Sequence, residues 1–227
     1  MSIFLSIPWW ITLFFIIGVV ALIAVILALF SKLGDRPASF SATEVCRVDS
    51  RGFLVSLTGT LNAPLQQGGT AQLLNNGDEF FPAMLRAMRE ARCSINFMTY
   101  IWAPGKASDM MFDMLIEKAR DEVPVRVLID AFGGYSAPRE RIAELRRAGG
   151  KWAWFHPARF GKLTRLHRRN HRRAIIIDGR VGFTGGASVM DKWLGNAQDP
   201  EHWRDCMVEV RGGIATNLQS AFTQLWS

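Results

Sequence analysis

A histidine, an arginine two residues on, and an aspartate five residues beyond that open the stretch "NHRRAIIIDGRVGFTGG" (170–186). The pattern is H-x-R-x4-D, built from His171, Arg173 and Asp178, and after six intervening residues it is followed by Gly185-Gly186. A neutral imidazole beside a fixed cation suits attack on a phosphodiester. The cation neutralises phosphoryl oxygens while the histidine takes the phosphoryl group or moves a proton. Spacing of this kind arises by chance in roughly one chain of this size in thirty, from average composition. The pattern therefore gains its meaning from the elements around it.

Those elements read as a strand, a tight turn and a second strand. Alternate residues of a strand share a face, so His171 and Arg173 project to one side at a strand entrance. The run Ala174–Ile177 anchors that entrance in a core, and Asp178-Gly179 supplies the turn. Gly185 and Gly186 admit a ligand or another backbone at close range. From about residue 71 onward, strand-like and helix-like stretches alternate. Helices are expected over 75–92, over 107–122 with Ser108 as a cap, over 137–150 with Pro138 in the first turn, and at the C-terminus. Strands are expected over 93–102, 123–133, 151–156, 172–186 and 204–212. This alternation predicts a layered α/β domain around a largely buried sheet. Met84, Met88, Met98, Met110, Met111 and Met114 fit core filling better than a methionine-rich binding face. "GFLVSLTG" (52–59) reads as a short strand within an otherwise irregular connector.

The motif and its flanks resemble the phospholipase D superfamily, in particular its bacterial cardiolipin-synthase branch. The segments "LLNNGDEFFPAML", "SINFMTYIW", "VRVLIDAFG", "FHPAR", "NHRRAIIIDGRVGFTGG" and "WLGNAQDPEHWRD" occur in the order such enzymes show. The resemblance implies a phospholipase D-like α-β-α layered sandwich, one half of a pseudo-twofold pair, in which two motifs meet. One histidine becomes a phosphohistidine and the other protonates the leaving alcohol, with no metal or other cofactor required. Carried onto this chain, His171 is the nucleophile or its acid/base partner, Arg173 binds phosphate, and Asp178 closes the motif by bonding backbone or the facing motif. Asp205 in "HWRD" either orients the His171 ring or is a strand-end surface carboxylate. This chain departs from the family at Arg173, where lysine is usual, and at Gly186 and Ser188, where many members carry Gly-Ser-x-Asn. Arginine keeps the charge and can grip phosphate in bidentate fashion, but it is bulkier.

A second motif does not occur: His156, His167 and His202 lack the following basic residue and aspartate. The expectation is a half-site completed by a C-terminal half, since the chain ends in a helix that precedes the second half of such enzymes. The alternatives are a homodimer like the single-motif endonucleases of the superfamily, acting on nucleic acid as a phosphodiesterase, or an impaired remnant with a binding role. Lys162, Arg165, Arg168, Arg169, Arg172 and Arg173 form a basic run leading directly into the motif. That position favours a substrate-side role, toward acidic headgroups or a nucleic-acid backbone, over a merely solvated loop. His156 is expected to pack or cap a strand end. His202 and Trp203 either line the pocket or bury an aromatic in a loop. Tyr100 and Trp102 either flank an acyl chain or pack in the core.

The chain of 227 residues carries a formal net charge of +7, which favours an anionic partner without choosing between phospholipid and nucleic acid. Cys46, Cys93 and Cys206 are odd in number and widely spaced, which disfavours a disulfide framework or a zinc knuckle and fits a reducing compartment. Trp9–Phe30 holds no charged residue; at 1.5 Å per residue it reaches about 33 Å, enough to cross a bilayer's hydrocarbon core. No basic residue precedes it and no small-residue cleavage site follows, so it reads as an anchor rather than a signal peptide. Lys32, Arg36, Arg47 and Arg51 follow it and place the remainder in the cytoplasm by the positive-inside rule. The expected organisation is a transmembrane anchor over 1–31, a connector over 32–70 and the catalytic-type domain over 71–227, single-pass in a bacterial inner membrane and acting on anionic phospholipid.

Overall fold

The computed structural model describes residues 8–32, 47–61, 65–157 and 169–226. Arg36, Cys46, Lys162, Arg165, His167 and Arg168 lie outside the described residues. Two compact units divide the chain, Met1–Val45 and Cys46–Ser227. In the first, α1 (Trp9–Lys32) is a continuous helix whose Trp9–Ala28 portion is long and apolar enough to cross a membrane. Every side chain described in that portion is exposed, and a helix that is apolar all round calls for a core or a membrane to bury it.

The second unit opens with α2 (Arg51–Leu61), which corrects the strand expected over 52–59. Ser50 caps it: its hydroxyl accepts the Phe53 backbone N–H at 3.1 Å, satisfying one of the first-turn donors. Thr58 and Thr60, strand-formers by propensity, turn their hydroxyls back onto the carbonyls of Val55 and Ser56 and so tolerate the helix. The α/β body follows as β1 (Thr70–Asn75), α3 (Asn76–Arg89), β2 (Ile95–Thr99), α4 (Lys106–Arg120), β3 (Val125–Asp130), α5 (Arg139–Arg147), β4 (Lys151–Phe155), β5 (Ala174–Ile177), β6 (Val181–Gly185), β7 (Cys206–Arg211) and α6 (Gly213–Trp226). Ser108 does not cap α4. It lies inside the helix, fully buried, and accepts the Trp102 indole N–H. The Asp191 carboxylate caps α4 from across the fold, accepting the backbone N–H groups of Lys106 and Ala107 at 3.1 and 2.8 Å.

The strands form one mixed sheet in the order β1-β7-β6-β5-β2-β3-β4. β2, β3 and β4 run parallel, joined through α4 and α5, while β5, β6, β7 and β1 pair antiparallel outward from β2. Side-chain parity divides the core into two layers. Ile95, Phe97, Val127, Ile129, Ile175 and Ile177 face the α3–α4–α5 side, with Met84, Met88 and Met111 filling it as ordinary core methionines. Met98, Leu128, Ala174 and Ile176 face Phe222 of α6. The result is an α/β/α sandwich with the sheet buried on both faces. Burying each isoleucine of β5 is worth about 1.5–3 kcal/mol, which fixes the strand in depth and leaves the charged residues before it at the sheet's end.

Candidate active site

The register of the sheet decides which residues meet. Met98 pairs with Ala174, Ala174 with Thr184, Gly185 with Met207, and Asp130 with Phe155. The C-terminal ends of β2, β3 and β4 therefore share one edge with the starts of β5 and β7. Tyr100, Asp130, His171, Arg173, Gly185, Gly186 and Asp205 all gather there, at the strand-end position where open α/β sheets hold ligands.

His171 is exposed, and its imidazole stacks on the Tyr100 ring with centroids 3.9 Å apart and planes 21° apart. Arg173 is half-buried beside it. Its Nε donates to Ser188 Oγ at 2.7 Å and its Nη1 to the His171 carbonyl at 3.2 Å. Ser188 is buried and also accepts the Thr99 hydroxyl at 3.0 Å, so one edge of the guanidinium is clamped by two hydroxyl-bearing residues in series. Burial lowers the Arg173 pKa, while the nearby Asp205 carboxylate and Tyr100 oppose that effect. Arginine starts so far above neutrality that it stays a cation at this site.

Asp205 does not bond the His171 ring. Its Oδ2 accepts the Trp193 indole N–H at 2.8 Å and its Oδ1 the Cys206 backbone N–H at 2.8 Å, while its main chain is held by Asn76. Of the two readings, the geometry gives a strand-end carboxylate next to the site rather than a partner of the imidazole. The paired glycines make room for protein, not for empty space. A Cβ on Gly185 would collide with the Cys206 carbonyl and Met207, and one on Gly186 with the Asp205 carboxylate.

Asp178 lies at the opposite end of β5, so the motif's aspartate is not part of the chemical cluster. It occupies a turn in which both Asp178 and Gly179 take positive φ, 53° and 65°, the pattern an Asp-Gly hairpin turn requires. Its carboxylate accepts the backbone N–H groups of Arg92, Cys93 and Ser94, with shortest distances of 3.0, 2.7 and 2.8 Å. Burial works against ionisation, but these three donors and the Arg180 charge outweigh it and hold the carboxyl below its ordinary pKa. The expected backbone bonding is present, and it ties the motif to the α3–β2 connection.

Arg169 is not a free headgroup ligand in this structure. Its guanidinium lies 3.8 Å from Asp130 and sits over the Phe132 ring at 5.0 Å. Arg172 is exposed. Asp130, fully buried at the end of β3, is a site residue that sequence reading did not single out. It accepts the Asn170 backbone N–H at 2.9 Å together with those of Phe132 and Gly133, and so ties the segment before His171 to the sheet. Only the strand's ending at "VRVLID" hinted at it. Tyr100 stacks on His171 instead of joining the core, whereas Trp102 is wholly buried. Trp203 is 41% exposed rather than buried, resting edge-on against Trp193, and His202 bonds Asp199 at 2.6 Å. His156 stacks on Phe155.

Residues 84–226 match the family described as "Cardiolipin synthase, PLD-like domain". The chain is 36% identical over 174 residues to cardiolipin synthase 2 of Bacillus cereus, covering 76% of this chain and 34% of that one. It spans about a third of the length of the curated relatives it matches. The fold is shared with Nuc of Salmonella typhimurium, a phospholipase D family member, at TM-score 0.53 and 16% identity over 70% of this chain and 94% of that one. NucT from Helicobacter pylori superposes at 0.55 and 13% identity over 70% and 96%. With an H-x-R-x4-D motif set at the strand ends of this sandwich, and a family match over most of the α/β body, the chain belongs to the phospholipase D superfamily as a cardiolipin-synthase-like domain.

Proposed function

We propose that this protein is a membrane-anchored phosphatidyltransferase of the cardiolipin-synthase type, active when a second half-site meets its own. The observation that carries the reading is the juxtaposition of an exposed His171 with Arg173, whose charge is fixed beside it by Ser188. In the first step a histidine nitrogen attacks the phosphorus of an anionic phospholipid. The phosphorus–oxygen bond to the headgroup alcohol breaks, and that alcohol leaves with a proton from the histidine of the facing half-site. An acceptor hydroxyl then attacks the phosphohistidine, passes its proton to the facing histidine and releases the first one. Phosphatidylglycerol as acceptor yields cardiolipin; water yields phosphatidic acid. Arg173 stabilises the charge that builds on the phosphoryl oxygens in both steps.

The apolar α1, with basic residues after it and none before, supports a single-pass anchor that keeps the domain at the cytoplasmic face of a bacterial inner membrane. The facing half-site comes from a C-terminal half or from a second copy. A homodimeric phosphodiesterase acting on nucleic acid is a second reading, favoured by the near-complete coverage of Nuc by this one-motif fold. To test the first, the intact chain is placed in phosphatidylglycerol vesicles together with a chain carrying a second H-x-K-x4-D half-site. Cardiolipin or phosphatidic acid is the expected product. If neither forms while the chain alone dimerises and cleaves DNA or RNA in a His171-dependent way, the second reading replaces it.

A further inference from the structure

We propose that Tyr100 is the positioning residue of His171, fixing the plane of its imidazole before any facing half-site arrives. The inference deepens the reading of His171 as the phosphoryl-bearing or proton-moving group, and it rests on that reading only for its kinetic consequence.

A histidine that attacks phosphorus must present a ring nitrogen in a set direction, because misalignment at the reacting atom costs rate steeply. His171 is exposed and precedes β5, so strand hydrogen bonds do not hold it. Among the described residues its ring is not hydrogen-bonded by Asp205, whose carboxylate is occupied by the Trp193 indole and its neighbour's backbone N–H. What meets the imidazole is the face of Tyr100, near-parallel and in contact at 3.9 Å between centroids. A stack of that kind removes the ring's freedom about its last torsion, which is broad in histidine. It also offers a π-face to the imidazole when phosphoryl transfer or protonation makes that ring cationic.

Tyr100 is in turn held firmly. It follows directly on Thr99, a buried β2 residue whose hydroxyl bonds Ser188, so the residue that carries the stack is joined to the residue pair that clamps Arg173. From the other side Gly133 lies flush against it: a Cβ at Gly133 would strike the Tyr100 carbonyl and approach its ring. The Asp130 carboxylate, which accepts the Gly133 N–H, also accepts that of Asn170, one residue before His171. The two stacked rings are thus carried by segments that share an anchor.

The test has a spectroscopic arm and a kinetic arm, both on the full chain. The sequence contains four histidines, so ring signals of histidine-labelled protein in detergent micelles are few. Loss of one signal on His171→Gln identifies it. That signal is expected upfield of the exposed-ring position because of the tyrosine ring current. Tyr100→Leu should return it to that position and Tyr100→Phe should keep it shifted. Gly133→Ala, whose added methyl would press on the Tyr100 carbonyl and ring, should move it partway. In the vesicle assay with the second half-site supplied, Tyr100→Leu is expected to lower kcat about tenfold, equivalent to about 1.4 kcal/mol, with KM little changed, and Tyr100→Phe to restore most of the loss. An imidazole signal that ignores Tyr100→Leu overturns the proposal whether or not the chain turns over lipid. A Tyr100→Phe variant as slow as Tyr100→Leu overturns it too, since the hydroxyl rather than the stacked ring would then be what matters. Failure of the lipid assay for the wild-type chain leaves the spectroscopic arm to decide.

Discussion

Arg173 is held by the protein through two of its guanidinium nitrogens. Its Nε is taken by Ser188 and its Nη1 by the His171 carbonyl, so the charge is placed by the chain's own oxygens before a phosphate arrives. A lysine at the same position would bring a point charge on a flexible stem, without the planar fork. Arg173→Gln removes the charge while keeping hydrogen-bonding capacity, and is expected to cut kcat/KM for phospholipid about 100- to 1,000-fold, the range seen when one charge-stabilising donor is lost. Arg173→Lys should recover activity to within about tenfold of the wild type, because charge matters more here than fork geometry. Equal loss in both variants, measured in the same vesicle assay, would show that the guanidinium shape is what the site uses. The types and spacing of His171 and Arg173 are readable from sequence because chemistry restricts which side chains can do the work. The placement of Tyr100, Thr99 and Asp130 around them is not, since it comes from β2 pairing with β5 and β3 with β2, which no local pattern encodes.

The hairpin β5–β6 places the site, and Asp178 at its turn secures the hairpin to the α3–β2 connection. Asp178→Ala would strip three backbone N–H groups of a charged acceptor and is expected to cost about 3 kcal/mol of stability at neutral pH. The pH dependence follows from the direction of its shift. A carboxyl held below its unfolded-state value contributes fully above that value, about 3.9, and loses its contribution as pH falls through the lowered folded-state pKa. The gap between wild type and Asp178→Ala should therefore shrink as pH drops below about 4, when read by denaturant unfolding of the detergent-solubilised chain. A gap that stays constant into strong acid would contradict this. At this scale much was legible. The Asp-Gly turn, the apolar run before it and the core methionines follow from period and composition, and the helices from their caps and breakers. The failures have one cause, competition between local and distant partners. "GFLVSLTG" looks strand-like by residue type, but Ser50 caps it as a helix, and β1 and β7 complete the sheet without it. Ser108 looks like a cap by position, but Asp191, some 80 residues away in sequence, takes that role and frees Ser108 for Trp102.

As a whole the molecule joins a helix apolar enough to cross a bilayer to an α/β sandwich of the cardiolipin-synthase family that carries an H-x-R-x4-D motif and a net charge of +7. An anionic bilayer surface suits that charge, and under the proposed function an anchored domain would meet phospholipid at high local concentration. Under the proposed reaction a facing half-site supplies the second histidine, so activity is expected of an assembly rather than of this domain by itself. The measurement that bears most directly on the central claim compares wild type with His171→Ala in phosphatidylglycerol vesicles, each supplied with the same second half-site and followed by lipid product. The account predicts cardiolipin or phosphatidic acid from the wild type and a loss of at least about 100-fold in His171→Ala, the scale of a removed acid, base or nucleophile. Product formation undiminished by His171→Ala would contradict it.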